Sequence, residues 1–155
     1  MKPTYNDMVD WMEGYFAAYN AYAQNPETVD RMKDYFMPDV RFIPYISAFG
    51  GPANAVTSRG EFFRMFTGHP TVCEKFEAED IAVDDRRMVV VALLNVVLFD
   101  ATTHEVLVRK HYLPRYQLVL DAKGALKIST IHFFWESMPP EVDAAYAIEV
   151  HEKEV

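Results

Sequence analysis

Cysteine, glycine and basic charge are all scarce in this sequence. One cysteine, Cys73, in 155 residues leaves no intrachain disulfide to form, and nothing signals an oxidising compartment. Fifteen Lys and Arg face twenty-three Asp and Glu, a net charge of -8, which argues against a nucleic-acid partner, since phosphate backbones are gripped by basic faces. No apolar run reaches membrane-spanning length, and the first residues carry acids where a signal peptide needs a basic start, so no membrane partner is expected. The chain reads as soluble and cytoplasmic. Also missing are a glycine-rich phosphate loop, a dinucleotide fingerprint, HExxH, paired cysteines and His-x-His. The five histidines are scattered. No metal and no cofactor is implied, and nothing near Cys73 marks an activated thiolate.

What the chain does have is aromatic side chains. Nine Tyr, eleven Phe and two Trp accompany a composition that is 50% hydrophobic, enough for one core at this length. The expected organisation is a single domain over residues 1–155, with a core from about 5 to 136 and an acidic extension over 137–155. The extension holds five acids and one lysine from Glu141 onward, the composition of a solvated terminus.

The first half has helical spacing. Met8, Trp11, Met12, Tyr15, Phe16 and Tyr19 recur on one face, and Asn25-Pro26 breaks the run. Pro26 suits the first turn of a second helix, Glu27 to about Phe36, which Pro38 stops. Asp39 to Ile46 alternates as a short strand confined by Pro44 to an edge or a bulge. Ser58-Arg-Gly-Glu61 is a capping box that opens a third helix through Phe62, Phe63 and Phe66. From Thr71 the period changes to two. Thr71–Val83, Met88–Asp100, Glu105–Leu120 and Ala125–Glu136 read as long antiparallel strands joined by short turns.

Two features carry functional weight. Tyr15, Tyr19 and Tyr22 share one helical face, where Phe would fill the same space without a hydroxyl to satisfy. The strand MVVVALLNVVLF is apolar on both alternating sets, with Asn95 the exception, so both its faces are expected to be covered. Helices cover one face. A second copy of the chain is the economical cover for the other, which predicts a homodimer through the outer sheet face.

GYFAAYN, then ETVDRMKDYFMPDVRFI, and the closing RYQLVLDAKGALKISTIHFFWE together resemble the nuclear transport factor 2-like superfamily. It includes ketosteroid isomerases, scytalone dehydratase and SnoaL-like polyketide cyclases. The resemblance covers roughly Tyr5 to Glu136 and implies an α+β cone, a curved mixed or antiparallel sheet wrapped around three N-terminal helices. It places Tyr15 at the oxyanion-stabilising tyrosine of the isomerases. Their base position falls near Pro44-Tyr45 and their second donor position near Tyr116, neither a carboxylate here. The Tyr-Asp pair of scytalone dehydratase aligns with Tyr19-Asn20, and its two histidine positions fall near Cys73 and Leu98. Strand parity from the same resemblance turns Thr130, His132 and Phe134 toward the cavity, and Ile131, Phe133 and Trp135 outward. Tyr15 and His132 are then the expected catalytic pair, oxyanion donor and proton carrier. Trp11, Tyr19, Phe42, Tyr45, Tyr116, Thr130 and Phe134 are the expected ligand contacts. His111 is expected on the other face, His69 in a loop at the cavity mouth, and Arg41, Arg109, Arg115 and Glu74 as solvated or interface charges.

The expected function is a cavity for a small apolar ring or polyketide-like molecule, in a binding protein or an isomerase, cyclase or dehydratase. The alternative is a non-catalytic ligand-binding or homodimeric assembly domain whose cavity is filled by its own side chains.

Overall fold

The computed structural model describes residues 2–67 and 72–142. Helix α1 spans Tyr5–Gln24. Its start is set by a reciprocal cap: Thr4 Oγ1 accepts the Asp7 N–H at 3.1 Å, and the Asp7 carboxylate accepts the Thr4 N–H at 2.8 Å. Met8, Met12, Tyr15, Phe16 and Tyr19 form its buried face, and Asn25 ends it ahead of Pro26. The second helix is shorter than the spacing suggests. A single turn of 3₁₀ helix over Pro26–Thr28 runs into α2, Val29–Lys33. Strand β1 already begins at Phe36 and continues to Pro44, so Pro38 lies inside a strand instead of stopping a helix. The reason is tertiary: Phe36 pairs with Ile128 and is buried among Tyr15, Phe62 and Phe63. Strand pairing outweighs the local helical pattern.

Between β1 and α3 (Arg59–Thr67) the chain makes two short 3₁₀ turns, with Gly50 and Gly51 at φ 82° and 72° where a side chain would be strained. The Ser58 hydroxyl accepts the Glu61 N–H at 3.1 Å, as the capping box requires. The Glu61 carboxylate returns to the Thr57 N–H, one residue upstream of the usual partner.

The remaining strands are β2 (Val72–Asp84), β3 (Val89–Asp100), β4 (Val106–Tyr112), β5 (Arg115–Leu120) and β6 (Leu126–Phe133). What reads in sequence as one strand, Glu105–Leu120, is two, broken at Leu113-Pro114. The sheet order is β1-β6-β5-β3-β2, with β4 pairing the far half of β3 beyond β5. All neighbours are antiparallel except β1 and β6, which run parallel. The fold is therefore α+β with a mixed, curved sheet.

Three hairpin turns share one device. Asp84, Asp100 and Asp121 each open a turn and accept two backbone N–H groups: from Arg86 and Arg87, from Thr102 and Thr103, and from Lys123 and Ala125. These bonds hold all three carboxyls below the usual range.

Two bulges decide which side chains face inward. In β2 the register slips between Ala78 and Asp80, leaving Glu79 unpaired. In β6 it slips where Leu118 faces Ile128 and Gln117 faces Thr130, leaving Ser129 as the additional residue. Each extra residue exchanges the faces of everything that follows it. The concave face, filled by α1, takes Val90, Ala92, Leu94, Val96 and Leu98 of β3, all buried. The intervening Val91, Leu93 and Val97 on the outer face are half-buried. No helix among the described residues is long and apolar enough to cross a membrane.

A carboxyl whose folded-state pKa is depressed contributes stability that is present above its unfolded pKa, about 3.9 for Asp, and lost as pH falls through the folded value. Replacing Asp100 and Asp121 with Asn keeps the turn geometry and removes the titration. The double variant should lose less stability than the parent between pH 5 and 2, measured by urea denaturation; parallel curves would show that these turns do not contribute to the acid limb.

Candidate functional site

The site is assembled by the contact between α1 and the edge strand β2. Phe76 has backbone groups facing away from β3, and the Asn20 side chain takes both. Its amide donates to the Phe76 carbonyl, and its oxygen accepts the Phe76 N–H, each at 2.8 Å. This pairing closes the sheet edge and fixes the height of α1 against β2. One residue earlier on the helix, Tyr19 stacks on the Phe76 ring at 4.0 Å and 17°.

Glu74 lies two residues before Phe76 and so points to the same, concave face. The Tyr19 hydroxyl donates to Glu74 Oε1 at 3.0 Å, and the Tyr112 hydroxyl, from β4 across the cone, donates to Oε2 at 2.7 Å. Helix, edge strand and far strand thus converge on one carboxylate, each oxygen holding a phenol. Read from sequence, Glu74 falls among the solvated or interface charges, and the structure corrects this. The signal that could have found it is parity with Phe76, an apolar residue on the inward set of a strand whose outward set is Lys75 and Glu77.

Deeper in the cone lie Tyr15 and Tyr116, 2% and 3% exposed, with ring centroids 5.8 Å apart. Tyr15 also packs against Tyr19, Tyr35 and Phe36. Burial, and then the Glu74 charge, pushes the Tyr15 hydroxyl far above its usual range; the same two causes act on Tyr19. For Tyr116 the causes are burial and then Tyr15. All three phenols therefore remain protonated donors throughout the working pH range. Neither the Tyr15 nor the Tyr116 hydroxyl bonds to a described residue. Lys110, also buried, lies with its ammonium 3.4 Å from the Trp135 ring centroid, a cation held on an aromatic face.

The other expected contacts fall elsewhere. Phe42 is buried against Phe62 and Phe133, and lines a groove of about 410 Å³ with Phe49, Val56 and Met65. Trp11 is half-buried and meets Tyr35 edge-on at 5.1 Å, supporting Tyr15 through that ring. Thr130, His132 and Phe134 face outward, opposite to the expected parity, while Ile131 and Phe133 pack into the core and Trp135 packs against it. The Ser129 bulge is the physical reason. Tyr45 joins the outward group: its hydroxyl shares a 3.0 Å hydrogen bond with His132 Nδ1, and its ring stacks on Phe134 at 4.5 Å. His132 is held below its ordinary value by burial, Arg115 and Arg41, in that order.

His111 is on the outer face as expected, donating from Nδ1 to Glu136 at 2.9 Å with Glu79 at 3.7 Å from Nε2. That hydrogen bond is the main reason its pKa is raised. Burial, followed by Glu74 and Asp100, raises the Cys73 thiol. His69 lies outside the described residues. Among the described residues, no three His, Cys, Asp or Glu side chains are grouped to hold a metal ion.

The architecture has clear counterparts among solved structures. AusH from Aspergillus nidulans is similar at a TM-score of 0.68 and 14% identity, covering 92% of each chain. Nuclear transport factor 2 from Cryptosporidium parvum is similar at 0.64 and 9%, covering 88% of this chain and 98% of that one. A ketosteroid isomerase-like protein from Erwinia carotovora atroseptica is similar at 0.55 and 14%, covering 81% and 94%. The fold is the nuclear transport factor 2-like cone. No protein-family model matches the sequence, and no curated protein sequence matches it either. At these identities the likeness establishes the cone and leaves its chemistry to the residues inside it.

Within the cone, each phenol–Glu74 bond is a hydrogen bond to a partly buried charge, worth about 1–2 kcal/mol. Tyr19→Phe and Tyr112→Phe should each lower stability by about that amount. The double variant should lose more than the sum, because Glu74 then has neither donor. Chemical denaturation of the parent, the two single variants and the double variant checks this; additive losses near zero would remove the cluster from the cone's stability.

Proposed function

We propose that the cone interior binds a small, largely apolar ring or polyketide-like molecule, and that Glu74 and Tyr15 act on it together in an isomerase, cyclase or dehydratase type of reaction. The observation that carries this reading is a carboxylate inside an aromatic cone, held at both oxygens by phenols and next to a second pair of buried phenols. Glu74 takes the role that strand parity assigns to His132. As a carboxylate it accepts a proton from an acidic C–H or O–H of the ligand and returns it at another atom. Tyr15 and Tyr116 donate to the oxygen on which charge develops, and in a low-dielectric interior such bonds are strong. Tyr19 and Tyr112 keep the carboxylate oriented. The similar structures include one ketosteroid isomerase-like protein, which is consistent with proton chemistry on this scaffold without identifying the ligand.

A homodimer through the outer sheet face belongs to the same proposal. Leu113, Phe134 and Tyr45 are 46%, 44% and 41% exposed there, beside the half-buried Val91 and Leu93. An apolar face of this kind is usually covered.

A second reading has its own observation. Tyr15 is almost completely buried and touches five aromatic rings, which suits an interior filled by its own side chains. Native mass spectrometry of the purified protein, followed by denaturation and small-molecule identification, separates the two. The proposal expects a defined extra mass in the parent, lost in Tyr15→Phe and in Glu74→Gln while both variants melt cooperatively. Retention of the same mass by both variants would exclude these residues from the site, and a bare parent protein would favour the filled interior.

A further inference from the structure

The residues that follow β6, Phe134, Trp135 and Glu136, form a strap across the end of β4. The Leu113 N–H donates to the Phe134 carbonyl at 2.8 Å, and the Glu136 N–H donates to the His111 carbonyl at 2.7 Å. Between these bonds Tyr112 and Trp135 face each other in an isolated antiparallel bridge. On the concave side the Trp135 ring covers the Lys110 ammonium at 3.4 Å, and it meets Phe49 at 4.9 Å and Tyr112 at 6.1 Å. The strap is therefore part of the cone wall, next to the tyrosine that holds Glu74.

On the outer side the strap is fastened by charge. A single Glu136 oxygen, Oε2, accepts both the His111 backbone N–H and the His111 Nδ1–H, each at 2.9 Å. The other ring nitrogen, Nε2, faces Glu79 Oε1 at 3.7 Å. Glu79 is the unpaired bulge residue of β2, which lies two strands from β4. A neutral imidazole has one donor and one acceptor nitrogen. Here both nitrogens meet carboxylates, an arrangement that only the imidazolium satisfies.

The wider surroundings carry both signs. Asn95 of β3 pairs with His111, and across it β2 presents Glu77, with Asp80 following Glu79 and Lys75 farther along. Arg109 lies two residues back on the same face of β4, and Lys110 acts on Glu136 from the inner side. The hydrogen bond to Glu136 is the largest influence on the ring and raises its pKa, while the same bond lowers that of Glu136.

We infer that the protonated His111 ring is a pH-sensitive latch that fastens the 134–136 strap to β4, keeping Trp135 over Lys110 while the ring is charged and loosening as it becomes neutral. The latch acts on the wall of the cone and does not depend on what the cone binds. A histidine whose pKa is raised by folding contributes fully below its unfolded value, about 6.5, and that contribution is lost as pH rises through the folded value. His132, on the same outer face, is shifted in the opposite direction, so the two rings titrate separately.

Residue-resolved NMR of the full chain from about pH 5.5 to 9 tests the latch. His111 should titrate above about 6.5, and the Trp135 indole signal should move with the same midpoint. Protection of the Leu113 and Glu136 amides, corrected for intrinsic exchange, should fall about two- to fivefold across that transition, the size of an exposed charged contact. In His111→Gln the step in protection should vanish, and in Glu136→Gln the His111 midpoint should drop toward the unfolded value. Circular dichroism melts check that both variants fold. Amide protection that stays level through the His111 transition of the parent overturns the latch. So does a His111 midpoint at or below about 6.5 in the parent, or a protection step that survives in His111→Gln.

Discussion

A half-buried carboxylate, Glu74, gripped at both oxygens by phenols from opposite walls of the cone is the constraint on which the rest of this structure depends. Drawing the Glu74 carboxyl partly out of water favours hydrogen-bond donors at both of its oxygens. They come from opposite walls, Tyr19 from α1 and Tyr112 from β4. The bonds therefore tie the helix to the far side of the sheet through the edge strand. The Asn20 clip on the Phe76 backbone makes this possible by setting the helix at the right height. Position 20 is where the resemblance to scytalone dehydratase would place an acid. An amide does something there that an ionised carboxylate could not, donating to a carbonyl and accepting from an N–H at once.

The interior is layered by chemistry. Nearest the carboxylate are two phenols already committed to it, and farther in are Tyr15 and Tyr116, packed among aromatic rings with hydroxyls that bond to no described residue. Burial keeps all the inner phenols protonated. His111 and His132 are instead on the outer face, where His111 joins two glutamates and His132 stands between two arginines. Inside and outside thus differ in chemistry: the concave face gathers phenol donors around Glu74, while the outer face carries the histidine–carboxylate and histidine–arginine groupings.

Much of the fold was legible because local pattern and global structure agree. The helical run to Asn25, the capping box at Ser58 and the hairpin spacing from Thr71 each have a short-range cause. The cone architecture followed from those elements in that order, and the structural likenesses agree with it. The misreadings occurred where a distant partner decides the local state. Phe36 is in a strand because Ile128 pairs with it, and Leu113-Pro114 breaks a strand because β3 is shared by β4 and β5.

The sequence by itself determined the presence of an aromatic helix face, a doubly apolar strand and an acidic chain without metal or phosphate motifs, since each of these is a matter of composition and period. The tertiary structure alone decided which residues meet. One additional residue, Ser129, turns Thr130, His132 and Phe134 out of the cone, because a bulge exchanges strand faces and leaves no mark in the alternation of a mixed stretch. The same limit hid Glu74. A carboxylate on a strand looks solvated until the partners that satisfy it, here from residues 19 and 112, are known to be adjacent.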